Sequence, residues 1–118
     1  MRILLSLLAL TSLLSFSVGS LAGGDIAAGQ EKHKSMGCIT CHGKFGDSPA
    51  PSNQPVQPPL LAGQYEDYLV KTLEDYASGA RKSPLMVGFA ATLTKQDRED
   101  LAAFYAAQVG LEVINYDK

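Results

Sequence analysis

The chain has 118 residues, of which 46% are apolar and 19% are charged. This length accommodates one domain, and a formal net charge of −2 excludes a strongly basic nucleic-acid-binding protein. The apolar content excludes a disordered chain. Two cysteines are too few for a disulfide-rich scaffold or for a zinc site with four cysteine ligands.

The first 22 residues have the pattern of a secretory signal peptide. Arg2 supplies a positive charge, Ile3–Val18 is strongly apolar, and Ser20-Leu21-Ala22 ends the segment with small residues. A membrane anchor is the alternative, but the apolar run is shorter than the roughly 20 residues of a spanning helix. We therefore expect cleavage after Ala22, export to the periplasm and no stable membrane insertion. The mature chain is then residues 23–118, with 9 basic and 12 acidic residues and a net charge of −3.

Three segments of the mature chain are predicted to be helices, and no alternating strand pattern is visible. These segments are Asp25–Met36, Gln64–Ser78 and Lys95–Gln108. Asp25 is a good N-cap for the first, and Gly79 is a good end for the second. Thr94 and Asp97 resemble a capping box at the start of the third. The predicted fold class is therefore all-α.

Two segments between these helices are predicted to be irregular. Residues 47–59 hold five of the six prolines, and proline disfavours helix both at its own position and at the residue before it. The second segment is Gly79–Gly88. The tail 111–118 extends past the last predicted helix, and the sequence assigns it no role.

The segment Cys38-Ile39-Thr40-Cys41-His42 contains the pattern C-x-x-C-H, which is the attachment sequence of c-type haem. Two thiols one turn apart on a short helix can each form a thioether with a haem vinyl group. The histidine that follows then reaches the iron from the proximal side. Covalent capture also explains how two thiols in an exported chain avoid oxidation to a disulfide. The motif therefore predicts one covalently bound haem c.

Three other uses of these cysteines compete with haem attachment. A thioredoxin-like C-x-x-C motif needs a βαβ setting, which the sequence does not show. A zinc site could add His33, but the adjacent Cys41 and His42 do not easily reach one tetrahedral ion together. A structural disulfide would leave His42 without a role. Haem attachment is preferred because it gives a role to both cysteines and to the histidine.

Met86 is the predicted second axial ligand of the iron. Of the three methionines, Met1 is removed with the signal peptide and Met36 is tethered beside the attachment motif. The alternative for Met86 is a core-filling residue. His33 is expected to be a solvated helix residue rather than a ligand. A thioether is a soft ligand that favours the reduced metal, so a His/Met pair raises the reduction potential.

Taken together, the sequence resembles class I c-type cytochromes, in particular the small bacterial single-haem forms and the individual halves of tandem di-haem forms. The segments that carry the resemblance are Gly24–Gly29, Cys38–Gly43, Pro59–Tyr65 with Tyr68-Leu69, Ser78–Met86 and Leu101–Tyr105. The resemblance implies the cytochrome c fold, in which three main helices pack around the haem and the N- and C-terminal helices cross. It also implies that Gly29 permits a close approach to the ring of Phe104 or Tyr105.

The resemblance further assigns roles to individual residues. It implies that Cys38 and Cys41 carry the thioethers, that His42 is the proximal ligand and that Met86 is the distal ligand. In members of this family a second methionine often follows the distal one in an M-x-x-M pattern. Here that position is Phe89, which leaves Met86 as the one distal candidate in this segment.

Two further residues receive roles from the resemblance. The carbonyl of Pro59 is expected to accept a hydrogen bond from the second ring nitrogen of His42, which fixes its tautomer and raises its basicity. Arg81 is expected to help neutralise a haem propionate, with a solvated surface arginine as the alternative.

The predicted function is that of a periplasmic electron carrier with low-spin iron and His/Met ligation. Its partners would be redox proteins such as a quinol–cytochrome c reductase, a terminal oxidase or a periplasmic dehydrogenase. Two alternatives are an enzyme or sensor with an open iron site, and a haem subunit of a larger oxidoreductase. The predicted apolar shell of the haem is Leu60, Leu61, Leu69, Leu73, Tyr76, Leu85, Phe89, Leu93 and Leu101.

Overall fold

A computed structural model describes residues 23–47 and 57–110 of the protein. The helices in these two ranges are α1 (Ile26–Ser35), α2 (Ile39–His42), α3 (Glu66–Ser78), α4 (Pro84–Ala91) and α5 (Lys95–Ala106). The described ranges contain no strand, and none of their helices is long and apolar enough to span a bilayer. The predicted signal peptide, residues 48–56 of the proline-rich segment and the tail 111–118 lie outside the described residues.

Local capping signals place the ends of the three predicted helices. Asp25 caps α1 by accepting a hydrogen bond from the backbone N–H of Ala28 at 2.7 Å. Thr94 and Asp97 form the predicted capping box at the start of α5, since each side chain accepts a hydrogen bond from the backbone of the other. Helix α3 ends at Gly79, whose φ of 79° lies in the left-handed region that glycine adopts without strain.

The prediction that residues 79–88 are irregular is wrong for their second half, because Pro84–Ala91 is helical. Ser83 caps this helix by accepting a hydrogen bond from the backbone N–H of Met86 at 3.3 Å. Pro84 occupies the first turn, where its missing N–H needs no partner and its fixed φ suits a helix. Met86 is therefore held in the first turn of a helix and not in a loop.

Helices α1 and α5 cross in close contact, as the resemblance implies. A Cβ added to Gly29 would lie 2.0 Å from the carbonyl oxygen of Asp100 and 2.8 Å from the Cβ of Phe104. The closest contact is therefore with the α5 backbone rather than with an aromatic ring. The side chain of Asp100 strengthens the crossing, because its Oδ1 accepts a hydrogen bond from the backbone N–H of Asp25 at 2.8 Å.

The core is built around α5. Six consecutive residues of this helix are buried, namely Asp100, Leu101, Ala102, Ala103, Phe104 and Tyr105. Leu69 of α3 and Leu93, which precedes α5, belong to the same buried cluster. Helix α5 thus contacts α1 on one side and α3 on another, which leaves its remaining surface free to form the wall of a site.

We expect Gly29→Ala to destabilise the protein by about 1–3 kcal/mol, the usual cost of overpacking a tight contact. The added Cβ meets backbone atoms of α5, which cannot move aside as a flexible side chain would. Chemical denaturation gives the free energy of unfolding. Gly88→Ala in α4 is the matched control, because its Cβ meets nothing within 4 Å, and it should be neutral or stabilising by up to about 1 kcal/mol. Equal destabilisation by both variants would contradict a close crossing at Gly29.

Candidate cofactor site

An apolar pocket lies between the C-x-x-C-H segment and helices α3, α4 and α5. It brings together three of the predicted site residues, Cys38, His42 and Met86. The other residues that line it are Met36, Leu61, Leu73, Phe89, Leu93, Leu101 and Tyr105. Residues far apart in the sequence therefore meet at one place.

The predicted apolar shell is only partly found in this pocket. Leu61, Leu73, Phe89, Leu93 and Leu101 line it, whereas Leu69 belongs to the buried core. Leu60 and Leu85 are 39% and 62% exposed. Tyr76 accepts a hydrogen bond from Arg81 at the surface. Sequence reasoning did not identify Met36 and Tyr105 as lining residues.

The C-x-x-C-H segment forms one short turn of helix. The backbone N–H of His42 donates to the carbonyl of Cys38 at 2.9 Å, so the first cysteine and the histidine are linked across one turn. Cys38 and Cys41 are both free thiols and partly buried. The turn ends at Gly43, whose φ of 76° lies in the left-handed region. The helical geometry that the motif predicts is therefore present before any cofactor is considered.

His42 is buried, with 6% of its surface exposed. Its Nδ1 lies 3.2 Å from the carbonyl oxygen of Pro59, so Nδ1–H donates and Nε2 keeps the lone pair that a metal requires. Burial lowers the pKa of His42 below the ordinary value of about 6.5, and the Pro59 carbonyl opposes part of that shift. The imidazole is therefore neutral at neutral pH, the state that binds metals.

The polar groups of the pocket are uncharged. Burial raises the pKa of the Cys38 thiol, and the neighbouring Tyr105 hydroxyl opposes part of that shift. Burial also raises the pKa of Tyr105, whose side chain is 4% exposed. Both groups keep their protons at neutral pH, so the pocket presents no charge of its own to a bound group.

Arg81 lies outside the pocket, at the surface next to α3. Its Nε donates to the hydroxyl of Tyr76 at 3.0 Å, and its NH1 donates to the hydroxyl of Tyr68 at 3.3 Å. The backbone N–H of Arg81 also donates to the carbonyl of Asp75 at 2.9 Å. The guanidinium is thus held in a defined position by two tyrosines. Cys41 is likewise not one of the described residues that line the pocket.

The expectation that His33 is a solvated residue is wrong. The side chain is 1% exposed, and its Nδ1 lies 2.9 Å from the hydroxyl oxygen of Tyr105. Its ring centroid is 5.2 Å from that of Phe104. Charged neighbours on α1 obscured this position in the sequence. The signal that would have found it is the four-residue spacing from Gly29, which places both residues on the same face of the helix.

The sequence model of the cytochrome c family matches residues 26–106. This chain belongs to the cytochrome c family. It is 45% identical over 87 residues to cytochrome c4 of Pseudomonas aeruginosa, and the aligned region covers 74% of this chain and 40% of that relative. It is 38% identical over 88 residues to cytochrome c-554(548) of Halomonas halodenitrificans, and here the aligned region covers 72% of this chain and 98% of that relative.

Solved structures agree with this family assignment. The crystal structure of reduced recombinant cytochrome c4 from Pseudomonas stutzeri matches with a TM-score of 0.62 at 41% identity, over 75% of this chain and 47% of that chain. The chain thus spans less than half the length of the cytochrome c4 relatives but nearly the full length of cytochrome c-554(548). The predicted class I family and the predicted cytochrome c fold are confirmed.

Family membership implies that the cofactor is haem c, an iron porphyrin, and the residues of the pocket fit this group. The lining is apolar, as a porphyrin face requires. One lining histidine is neutral, with its Nδ1 already bonded to a carbonyl. A soft thioether sulfur belongs to the same lining at Met86, and two free thiols lie in the attachment spacing.

We expect the stability of the protein to fall as the pH decreases below about 6.5. Burial lowers the pKa of His33 below that ordinary value, so the unfolded chain takes up a proton that the folded chain does not. This loss of stability is absent above about pH 7.5. Below pH 6.5, the free energy of unfolding falls by at most about 1.4 kcal/mol per pH unit because of His33.

Denaturant unfolding at pH values from 7.5 to 5, compared between the wild type and His33→Asn, isolates this contribution. The slope of stability against pH should be smaller in the variant. Identical slopes in the two proteins would show that His33 does not supply the effect.

Proposed function

We propose that this protein is a periplasmic electron-transfer cytochrome that carries one covalently bound haem c with His42 and Met86 as axial ligands. The observation that carries the proposal is that the first cysteine and the histidine of the C-x-x-C-H motif share one apolar pocket with Met86. These residues come from segments far apart in the sequence. An apolar pocket that gathers these particular groups is what a haem needs.

Each of these residues has a distinct role in the proposal. The sulfur atoms of Cys38 and Cys41 form thioether bonds to the two vinyl groups. The Nε2 of His42 binds the iron, and the Pro59 carbonyl orients the ring and increases its basicity. Met86 supplies the distal sulfur, and the Ser83 cap fixes the turn of α4 that carries it.

With His42 and Met86 proposed at the two axial positions, the iron would have no open position for a substrate, as expected of a carrier rather than an enzyme. Bound haem supplies one-electron chemistry between ferric and ferrous iron. The apolar lining keeps water away from the cofactor. Phe89 lines the pocket and is 46% exposed, so the pocket reaches the surface beside it, and we propose this edge as the route of electron entry and exit.

Arg81 is proposed to help neutralise a haem propionate. In the structure its guanidinium is already held by the hydroxyls of Tyr68 and Tyr76. A cation held in this way loses little conformational freedom when an anion binds beside it. Arg81→Gln keeps hydrogen-bond donors and removes the charge, which makes it the natural variant for this role.

The partners are proposed to be periplasmic redox proteins such as a quinol–cytochrome c reductase, a terminal oxidase or a dehydrogenase. A region of 68 residues is 38% identical to the thiosulfate dehydrogenase electron acceptor of Stutzerimonas stutzeri, of which it covers 30%. This likeness supports a dehydrogenase as electron donor. It also favours a second candidate, a haem module held on a larger oxidoreductase. Gel filtration of a native extract distinguishes the two, because a free carrier elutes at its own small size.

The mass of the denatured mature protein should equal residues 23–118 plus one haem. This measurement tests both the signal peptide proposed for residues 1–22 and covalent attachment, since a group held only by its ligands is lost on denaturation. The double variant Cys38→Ser, Cys41→Ser should lose the haem completely. A wild-type mass without haem, after expression with the maturation machinery, would refute the proposal.

The ferric protein should show the weak far-red charge-transfer band of a methionine sulfur bound to iron. Met86→Ala should remove this band completely and lower the reduction potential, because the thioether favours ferrous iron. Met36→Ala is the matched control, since Met36 lines the same pocket but is not a proposed ligand, and it should keep the band. A wild-type protein without the band does not have His/Met ligation.

A further inference from the structure

His33 is a buried imidazole that the proposed function does not use. It is 1% exposed, and its Nδ1 lies 2.9 Å from the hydroxyl oxygen of Tyr105 on α5. Its Nε2 is buried, and the described residues offer it no hydrogen bond of good geometry. The backbone carbonyls of Gly43 and Lys44 nevertheless act on the ring and raise its pKa against the larger effect of burial. His33 thus joins α1 to α5, and its ring lies near the chain that leaves the C-x-x-C-H turn.

The surroundings of this ring assign its proton to Nε2. Because Tyr105 occupies the Nδ1 side, we assign the effect of the Gly43 and Lys44 carbonyls on this ring to its buried Nε2 side. An unprotonated Nε2 would place its lone pair against carbonyl oxygens, which repel it, whereas an N–H is attracted to them. With the proton on Nε2, Nδ1 is an acceptor and the hydroxyl of Tyr105 is the donor.

Tyr105 is also part of the pocket wall. Its side chain lines the same apolar pocket as Cys38 and His42, and the Tyr105 hydroxyl and the Cys38 thiol each affect the pKa of the other. Since the hydroxyl hydrogen points to His33, the oxygen presents its lone pairs to Cys38. Without an acceptor at His33, the hydrogen would turn towards the sulfur of Cys38. In an apolar pocket the direction of one O–H dipole has a larger electrostatic effect than in water.

We propose that His33 is a positioning residue that turns the Tyr105 hydroxyl hydrogen away from the cofactor pocket and thereby lowers the reduction potential of the bound haem. The negative end of the hydroxyl dipole then faces the cofactor and disfavours the additional electron. The inference rests on the proposed function, because it requires the haem to occupy this pocket. Packing of α1 against α5 does not require a polar contact at this place. The inference gives a role to the hydrogen bond between His33 and Tyr105.

Equilibrium redox titration of five proteins tests this inference. They are the wild type, His33→Phe, His33→Asn, Tyr105→Phe and the double variant His33→Phe, Tyr105→Phe. Phenylalanine keeps an aromatic ring beside Phe104 and removes the acceptor. His33→Phe should shift the equilibrium with a redox dye about threefold towards the reduced protein, which is about 28 mV at 59 mV per tenfold change for one electron. In the Tyr105→Phe background the same substitution should cause no shift, and His33→Asn, which restores an acceptor, should return the potential to near the wild-type value.

Several results would overturn the inference. An equal shift in both backgrounds would mean that packing and not the hydroxyl sets the potential, and a folded His33→Phe variant without a shift would show that His33 has no such role. If the substitutions prevent folding, the ¹⁵N NMR spectrum of the reduced wild-type protein decides. A protonated Nε2 with an unprotonated Nδ1 supports the inference, and the opposite tautomer overturns it.

These outcomes are distinct from failure of the proposed function. A wild-type protein without covalent haem, or without the far-red band, refutes the proposed function before any variant is made. A wild-type protein with both, whose variants show no shift that depends on Tyr105, refutes only the role of His33.

Discussion

The close approach of α1 and α5 at Gly29 is the contact on which the rest of the structure depends. A side chain at this position would occupy the space of the α5 backbone. Because α1 lies so close, α5 is buried over six consecutive residues, and it also supplies Leu101 and Tyr105 to the wall of the pocket. The same approach brings His33 against Tyr105. One glycine thus links the helix crossing to the geometry of the site.

The pocket also explains how so small a domain is stable. A chain of this length buries a modest fraction of its surface on folding, and small domains usually need an additional constraint. Here the lining side chains come from five separate parts of the chain, and several partly buried ones pack against the core cluster without being enclosed by it. A flat apolar cofactor between α3, α4 and α5 would complete their burial. The two thioethers would then hold the chain to the cofactor much as a disulfide holds a chain to itself.

The two histidines show how position decides the use of a buried imidazole. Burial lowers the pKa of both, so both are neutral at neutral pH. The Nδ1 of His42 donates to the Pro59 carbonyl, which leaves its Nε2 for a metal. The Nδ1 of His33 instead faces the hydroxyl of Tyr105, a residue of the pocket wall. The same side chain is thus a proposed ligand in one case and a proposed hydrogen-bond acceptor in the other.

The sequence by itself determined the features that depend on neighbours along the chain. The C-x-x-C-H motif, the cap at Asp25, the capping box at Thr94 and the helix end at Gly79 involve atoms within a few residues of each other, so residue type and spacing suffice to predict them. The limit of local reasoning appears at Pro84. A proline can end a helix or begin one, and here the cap at Ser83 lets Pro84 begin α4, whereas the sequence predicted an irregular segment through residue 88.

Only the tertiary structure decided which distant residues meet. The burial of His33, the exposure of Leu60 and Leu85, and the place of Tyr105 and Met36 in the pocket wall depend on how separate segments of the chain pack against each other. The contacts of His33 with Tyr105 and of Asp25 with Asp100 join residues more than 70 positions apart. No local pattern encodes such contacts, because they form only when the whole chain has packed.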